Sequence, residues 1–171
     1  DAEAAEKAGY EHFMMKEIHE QPKAVEDTLN SVLQDGSLNL EEMGFTEEII
    51  NNISCIYIVA CGSAWHVGMT AQYVIEDMAG IPVRVEVASE FRYRKPLLDK
   101  NGLVIIISQS GETADSLAAL REAKEKGVRT LAVVNVVGSS IAREADHVFY
   151  TLAGPEISVA TLPVSTTASP V

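Results

Sequence analysis

Between Lys23 and Leu33 the apolar residues Val25, Leu29, Val32 and Leu33 recur at helical spacing, with Pro22 at the entrance and the acids Glu26 and Asp27 near the start. This pattern predicts an amphipathic helix that Gly36 closes. A shorter helical segment is expected at His12–Glu20. Another is expected from Thr46 to Ile53, where Thr46 is placed to cap and Glu47 and Glu48 fall beside the positive end of the helix dipole. After residue 54 the pattern changes to apolar runs of strand length separated by helices, the signature of a parallel sheet covered on both faces. Strands are predicted at Ile56–Ala60, Val83–Val87, Leu103–Ile107, Thr130–Val134 and His147–Thr151. Between the first two, Val67, Ala71, Val74 and Met78 form one apolar face, and Gly80 and Pro82 end the helix. Thr113–Lys126 carries Leu117, Leu120 and Ala123 on one face and stops at Gly127, and Ser139 and Ser140 open a short helix before the last strand. Val87–Leu103 shows no strong helical period. It is expected to be a non-helical connection whose Arg92, Arg94, Lys95 and Pro96 suit a contact surface.

The strand–helix alternation implies right-handed crossovers and an α/β three-layer sandwich: a five-stranded parallel sheet of order 2-1-3-4-5, flavodoxin-like, preceded by N-terminal helices. The expected organisation is a helical segment 1–54 packing on an α/β domain 55–160, followed by an irregular Ser-, Thr- and Pro-rich tail 161–171 that we read as non-structural. At 171 residues the chain suits one core, able to bury roughly 70 % of its unfolded surface. Its first residue is Asp1 rather than Met, and Asp1–Lys7 is polar, so a fragment without a signal peptide is expected.

Charge and cysteine content narrow the partners. Thirteen Lys and Arg against 25 Asp and Glu give a net charge of -12, and the only basic cluster is Arg92-Tyr93-Arg94-Lys95, so no nucleic acid is expected. No apolar run approaches the ~18–20 residues of a membrane-spanning helix, so no membrane is expected either. Cys55 and Cys61 flank an extended segment that would hold them roughly 20 Å apart at ~3.3 Å per residue, beyond the ~7 Å reach of a disulfide. Free thiols suit a reducing cytoplasm.

Two hydroxyl-rich loops follow strands and precede helices: Cys61-Gly62-Ser63-Ala64 and Ser108-Gln109-Ser110-Gly111-Glu112-Thr113. In the expected strand order both lie at the topological switch point, where open sheets bind their ligands, so they face one crevice. Glycine lets backbone approach closely, helix N-termini offer free N–H groups, and hydroxyls donate without bulk, a combination that suits phosphate. Neither GxxxxGK[ST] nor GxGxxG occurs, which removes the nucleotide P-loop and the dinucleotide fingerprint. The plainer alternative is that each Ser is only an N-cap and each Gly only a turn residue; two such loops at one switch point weigh against it. His12, His19, His66 and His147 sit on different elements without ligand partners at metal spacing, so no metal is expected, and no cofactor motif occurs. Ser110 lacks a Gly-x-Ser-x-Gly elbow and an assignable His/Asp pair. Glu112 and Glu156 are candidate general bases, although a Glu entering a helix ordinarily caps or compensates its dipole. Trp65 is expected to pack.

Four segments in order carry a resemblance: HFMMKEIHEQP at 12–22, ASEFRYR at 88–94, SQSGETAD at 108–115 and GPEI at 154–157. Together they resemble the glucosamine-6-phosphate synthase family (glutamine–fructose-6-phosphate aminotransferases, isomerising) from roughly Gly9 to Ala160. SQSGET alone marks the wider sugar isomerase (SIS) superfamily. The resemblance is to the first of two SIS subdomains that follow a glutaminase domain. It implies Ser63, Ser108, Gln109, Ser110, Thr113 and Val159 as sugar-phosphate ligands, with fructose 6-phosphate and glucosamine 6-phosphate as the bound sugars. It implies the second SIS subdomain, the glutaminase domain and a further copy of the chain as partners. Ala64 stands where the family usually has a ligand-contacting Ser. After Ile157 the family continues Gly-Val-Ala-Ser-Thr-Lys-Ala into a long helix, whereas this chain runs Ser158-Val159-Ala160-Thr161-Leu162-Pro163. The family's acid/base Glu, Schiff-base Lys, ring-opening His and glutaminase Cys have no counterpart, so no catalytic residue is expected in this chain. A stand-alone, non-catalytic sugar-phosphate sensor is the alternative reading. The missing helix-turn-helix and the 12–22 motif favour the synthase.

Overall fold

The computed structural model describes residues 7–34, 36–38, 40–41, 43–154 and 157. Helix α1 (Phe13–Asn30) leads into a small hairpin, β1 (Leu33–Gln34) with β2 (Ser37–Leu38), and then into α2 (Glu47–Asn51). The sheet that follows alternates with helices: β3 (Ile56–Ala60), α3 (Ser63–Ala79), β4 (Val83–Val87), α4 (Ala88–Arg94), β5 (Leu103–Ser108), α5 (Ala114–Glu125), β6 (Arg129–Val134), α6 (Ser140–Glu144) and β7 (His147–Tyr150). All its pairings are parallel, in the order β4-β3-β5-β6-β7, which is 2-1-3-4-5 when only these strands are counted.

Successive residues of a strand point to opposite faces, and here both faces are covered. Tyr57, Val59, Val104, Ile106 and Val134 pack with Phe91 of α4, Leu120 and Ala123 of α5 and Ile141 of α6. On the opposite face Ile56, Ile58, Ala60, Leu103 and Ile107 meet Ala64 and Val67 of α3 and Phe45 from the N-terminal segment. Val59, Val104 and Ile106 are wholly inaccessible. Fully burying a side chain of this size contributes roughly 1.5–3 kcal/mol, so the continuous apolar runs are what hold the strands at the centre. Gly68 lets α3 settle onto the sheet, since a Cβ there would lie 2.8 Å from Ile58 Cγ2 and 3.0 Å from Val85 Cγ1.

Three elements differ from the sequence expectation. The two N-terminal helices are one, with Pro22 inside it. Proline removes one i→i−4 bond, but Pro22 and Ile18 are both exposed, so the carbonyl that loses its partner lies on the solvent side. The helix ends at Asn30, and Leu33 belongs to the hairpin, whose turn contains Gly36 at φ +79°. Its buried face is Lys16, Glu17, Ala24 and Thr28 rather than the apolar stripe. The reason is backbone satisfaction: Leu152 N–H donates to Thr28 Oγ1 at 2.9 Å and Ile157 N–H to Glu17 Oε1 at 2.9 Å. Met15, Ile18 and Leu29 are left 43–49 % exposed.

The second difference is α4, in a segment expected to be non-helical. Only Ala88 and Phe91 of its seven residues are buried, one i,i+3 pair, which is too little for a visible period. The third is Met78, expected on the inner face of α3 and 81 % exposed; Val67, Gly68, Ala71 and Ile75 make the contacts instead. At the start of α2, Thr46 caps as expected, its hydroxyl accepting from Ile49 N–H at 3.3 Å.

Candidate functional site

The strands β3 and β5 are neighbours in register, Ala60 opposite Ile107, so the loops leaving their carboxyl ends emerge side by side. Cys61 and Ala64 from the first loop, with Ile107, Ser108, Gln109, Ser110, Thr113 and Ser116 from the second loop and α5, line a crevice of about 130 Å³. In the first loop Gly62 sits at φ +59°, and no side chain caps α3. Thr113 occupies the N-cap position of α5 without capping it, because its hydroxyl is turned to Ser108 Oγ at 3.2 Å. Both helix N-termini therefore keep first-turn N–H groups uncapped by side chains beside the crevice, with the positive ends of their dipoles.

The hydroxyls of the second loop are held in a particular sense. Gly111 N–H donates to Ser108 Oγ at 3.1 Å, and Glu112 N–H donates to Ser110 Oγ at 3.2 Å. A serine that accepts a backbone N–H keeps its own proton to give away. Ser110 thus retains a donor. Between Ser108 and Thr113 one proton serves their mutual bond and the other is free. This is a set of donors with no carboxylate among the lining residues, which suits an anion and would repel nothing it holds.

The loop is fixed from the β6–α6 side. Asn135 N–H donates to Gln109 O at 3.1 Å, Ile141 N–H to Gly111 O at 3.0 Å, and Ser140 N–H to Glu112 Oε1 at 2.7 Å. The hydrogen bonds from Ser140, with Arg143 adding a smaller attraction, hold the Glu112 carboxyl below its usual range. Glu112 is thereby an ionised acceptor for the start of α6 rather than for α5, the helix it enters.

Of the residues predicted for the site, Ser108, Gln109, Ser110 and Thr113 converge on the crevice. Ser63 is the half-buried first residue of α3 and is not among its lining residues, where Ala64 stands instead. Val159 and the candidate base Glu156 lie outside the described residues. Cys61, Ile107 and Ser116 line the crevice without having been singled out. Ser116 lies three residues past Thr113, one helical turn along α5, and that spacing was its available signal.

A larger crevice of about 440 Å³ lies at the other ends of the strands, lined by Lys100 and Arg129 among others. Its wall suits an anion less. Glu48 shares its wall, Gly127 places it at the negative end of α5, and Arg129 already donates to His147 Nε2 at 3.1 Å.

A doubly wound parallel sheet with a donor-lined crevice at its switch point defines an open α/β domain of the kind that places its ligand crevice beyond the carboxyl ends of the strands. The chain matches the SIS domain family over residues 49–169 and belongs to it. It is 61 % identical over 168 residues to the glutamine–fructose-6-phosphate aminotransferase (isomerizing) of Clostridium acetobutylicum, covering 98 % of this chain and 28 % of that protein. The protein of the same name from Mycolicibacterium paratuberculosis is 54 % identical over 160 residues, 94 % of this chain and 26 % of its own length. The C-terminal domain of glucosamine-fructose-6-phosphate aminotransferase from Francisella tularensis superposes with a TM-score of 0.88 at 43 % identity, over 95 % of this chain and 47 % of that one. The chain thus spans little more than a quarter of the length of the sequence relatives it matches.

Proposed function

We propose that this chain is the first SIS subdomain of a glutamine–fructose-6-phosphate aminotransferase, and that its crevice binds the phosphate of fructose 6-phosphate and glucosamine 6-phosphate. The observation that carries the reading is the pair of hydroxyls, Ser108 and Ser110, each held by a backbone N–H so that donors face an uncharged crevice between two helix N-termini. The identity of 61 % to an enzyme of that name supports the choice of sugar phosphates over other anions. Ser108, Gln109, Ser110 and Thr113 are the ligands from the crevice, and Ser63 and Val159 complete the set.

The complete enzyme converts fructose 6-phosphate and glutamine to glucosamine 6-phosphate and glutamate. Moving a proton between adjacent carbons requires a base within hydrogen-bond reach of the open-chain sugar. Glu112 is spent on Ser140, so the chain binds without turnover until a second SIS subdomain supplies the base. The glutaminase domain and a second copy of the chain complete the assembly, in the cytoplasm. The free thiols of Cys55 and Cys61 are compatible with that compartment.

Titration calorimetry tests the reading. Glucosamine 6-phosphate should bind and glucosamine should not, and Ser110→Ala or Thr113→Ala should weaken binding by ~1–3 kcal/mol, the range for hydrogen bonds to charged groups. Equal binding of the unphosphorylated sugar, unchanged affinity in both variants, or glucosamine 6-phosphate formed by the chain from fructose 6-phosphate and ammonia would overturn it.

A further inference from the structure

Ser116 sits in the first turn of α5, and among the crevice-lining residues it is the one whose buried side-chain polar atom has no hydrogen-bond partner among the described residues. The residue is 1 % exposed, and its Oγ has no partner among the described residues. A buried hydroxyl without a partner carries a desolvation cost that native proteins ordinarily avoid. A serine in a helix can relieve that cost by bonding back to a carbonyl one turn earlier, as Thr28 does with Ala24 O at 2.7 Å. Ser116 does not. It lines the same wall as Thr113, whose own hydroxyl is turned away from capping α5, so the first turn of this 12-residue helix presents free N–H groups and one unspent hydroxyl to the same space. Ala64, which also lines the crevice, has a side chain that offers no polar partner.

We propose that Ser116 is a further ligand-binding residue: its hydroxyl forms the floor of the crevice and donates to an oxygen of a bound phosphate group. This rests on the phosphate reading of the crevice and adds a residue to it. In the free protein the hydroxyl is a standing cost, and ligand removes that cost, so Ser116 contributes to affinity without contributing to the stability of the unliganded fold.

The experiment is Ser116→Ala in this chain, with wild type and Ser110→Ala beside it, titrated with inorganic phosphate and with glucosamine 6-phosphate, together with the thermal midpoint of each unliganded protein. Ser116→Ala should weaken both ligands on the order of tenfold or more, with a midpoint no lower than wild type. Wild-type affinity in Ser116→Ala, with Ser110→Ala weakened, overturns the role of Ser116 and leaves the crevice standing. A lowered midpoint with unchanged affinity assigns the hydroxyl to structure and overturns it too. Weakening of the sugar phosphate alone moves the contact to the sugar and overturns the phosphate assignment. Failure of the wild type to bind either ligand is failure of the crevice reading itself.

Discussion

Gly111 is where the shape of the second loop can be separated from its hydroxyls. The residue sits at φ +65°, and a Cβ built there would overlap the Ser139 hydroxyl, lie 2.5 Å from Ser139 Cβ and stand 3.4 Å from Val134 Cγ1. Ser139 has little room to retreat, being 3 % exposed, donating its N–H to Val136 O at 3.3 Å and accepting from Arg143 N–H at 3.0 Å. Gly111→Ala therefore adds two costs: about 1–2 kcal/mol for a left-handed alanine and about 1–3 kcal/mol for overpacking, or about 2–5 kcal/mol together. Gly127→Ala is the matched control, since Gly127 has φ +71° with nothing within 4 Å of the added Cβ, and it carries only the conformational cost. Urea unfolding of the two variants measures the difference. If the loop shifts to relieve the overlap, the bonds Gly111 N–H to Ser108 Oγ and Ile141 N–H to Gly111 O are lost together, and with them the orientation of the Ser108 donor. Glucosamine 6-phosphate affinity should then fall at least about tenfold in Gly111→Ala and stay at wild type in Gly127→Ala. A Gly111→Ala that costs no more than Gly127→Ala, to within about 0.5 kcal/mol, would refute the overlap argument.

Asp146 governs an acid-sensitive part of the stability. Burial pushes its carboxyl up, but Lys124 Nζ at 2.7 Å, Thr130 Oγ1 at 2.8 Å and Thr130 N–H at 2.9 Å outweigh that and hold it below the usual range. A depressed carboxyl stabilises the fold above its unfolded pKa of ~3.9, and the contribution is lost as pH falls from there through the folded value. Urea stability of wild type should thus drop more steeply below about pH 4 than that of Asp146→Asn, and parallel profiles would contradict the assignment. The exposed stripe Met15, Ile18 and Leu29 on α1 is apolar surface of the kind that partners cover. Sedimentation should show self-association that Ile18→Glu with Leu29→Glu reduces at a stability cost under about 1 kcal/mol; a chain monomeric at high concentration, or an unaffected variant, would count against it.

The sheet was readable because a strand buried on both faces must be apolar at every position, and Ile56–Ala60 and Leu103–Ile107 have no other way to be satisfied. Its order placed the two loops together, so Ser108, Gln109, Ser110 and Thr113 were legible from connectivity and residue type. Ser116 was not, because what sets it apart is that its buried hydroxyl has no partner among the described residues, a property of the folded arrangement and not of the residue pattern. The face of α1 misled for a different reason. Hydrophobic periodicity marks the side that is apolar, but this helix is seated by Thr28 and Glu17 accepting backbone N–H groups more than a hundred residues away in the chain. Short α4, with one buried i,i+3 pair, lies below what periodicity resolves.

Amide NMR of the chain titrated with glucosamine 6-phosphate tests, residue by residue, whether a phosphate is held between the loops that follow β3 and β5. The largest shifts should fall on Gly111, Glu112, Asp115 and Ser116, with a second set at Gly62 and Ser63, and glucosamine should produce neither. Shifts concentrated instead around Lys100, Gly127 and Arg129, at the larger crevice beyond the opposite ends of the strands, would contradict that placement.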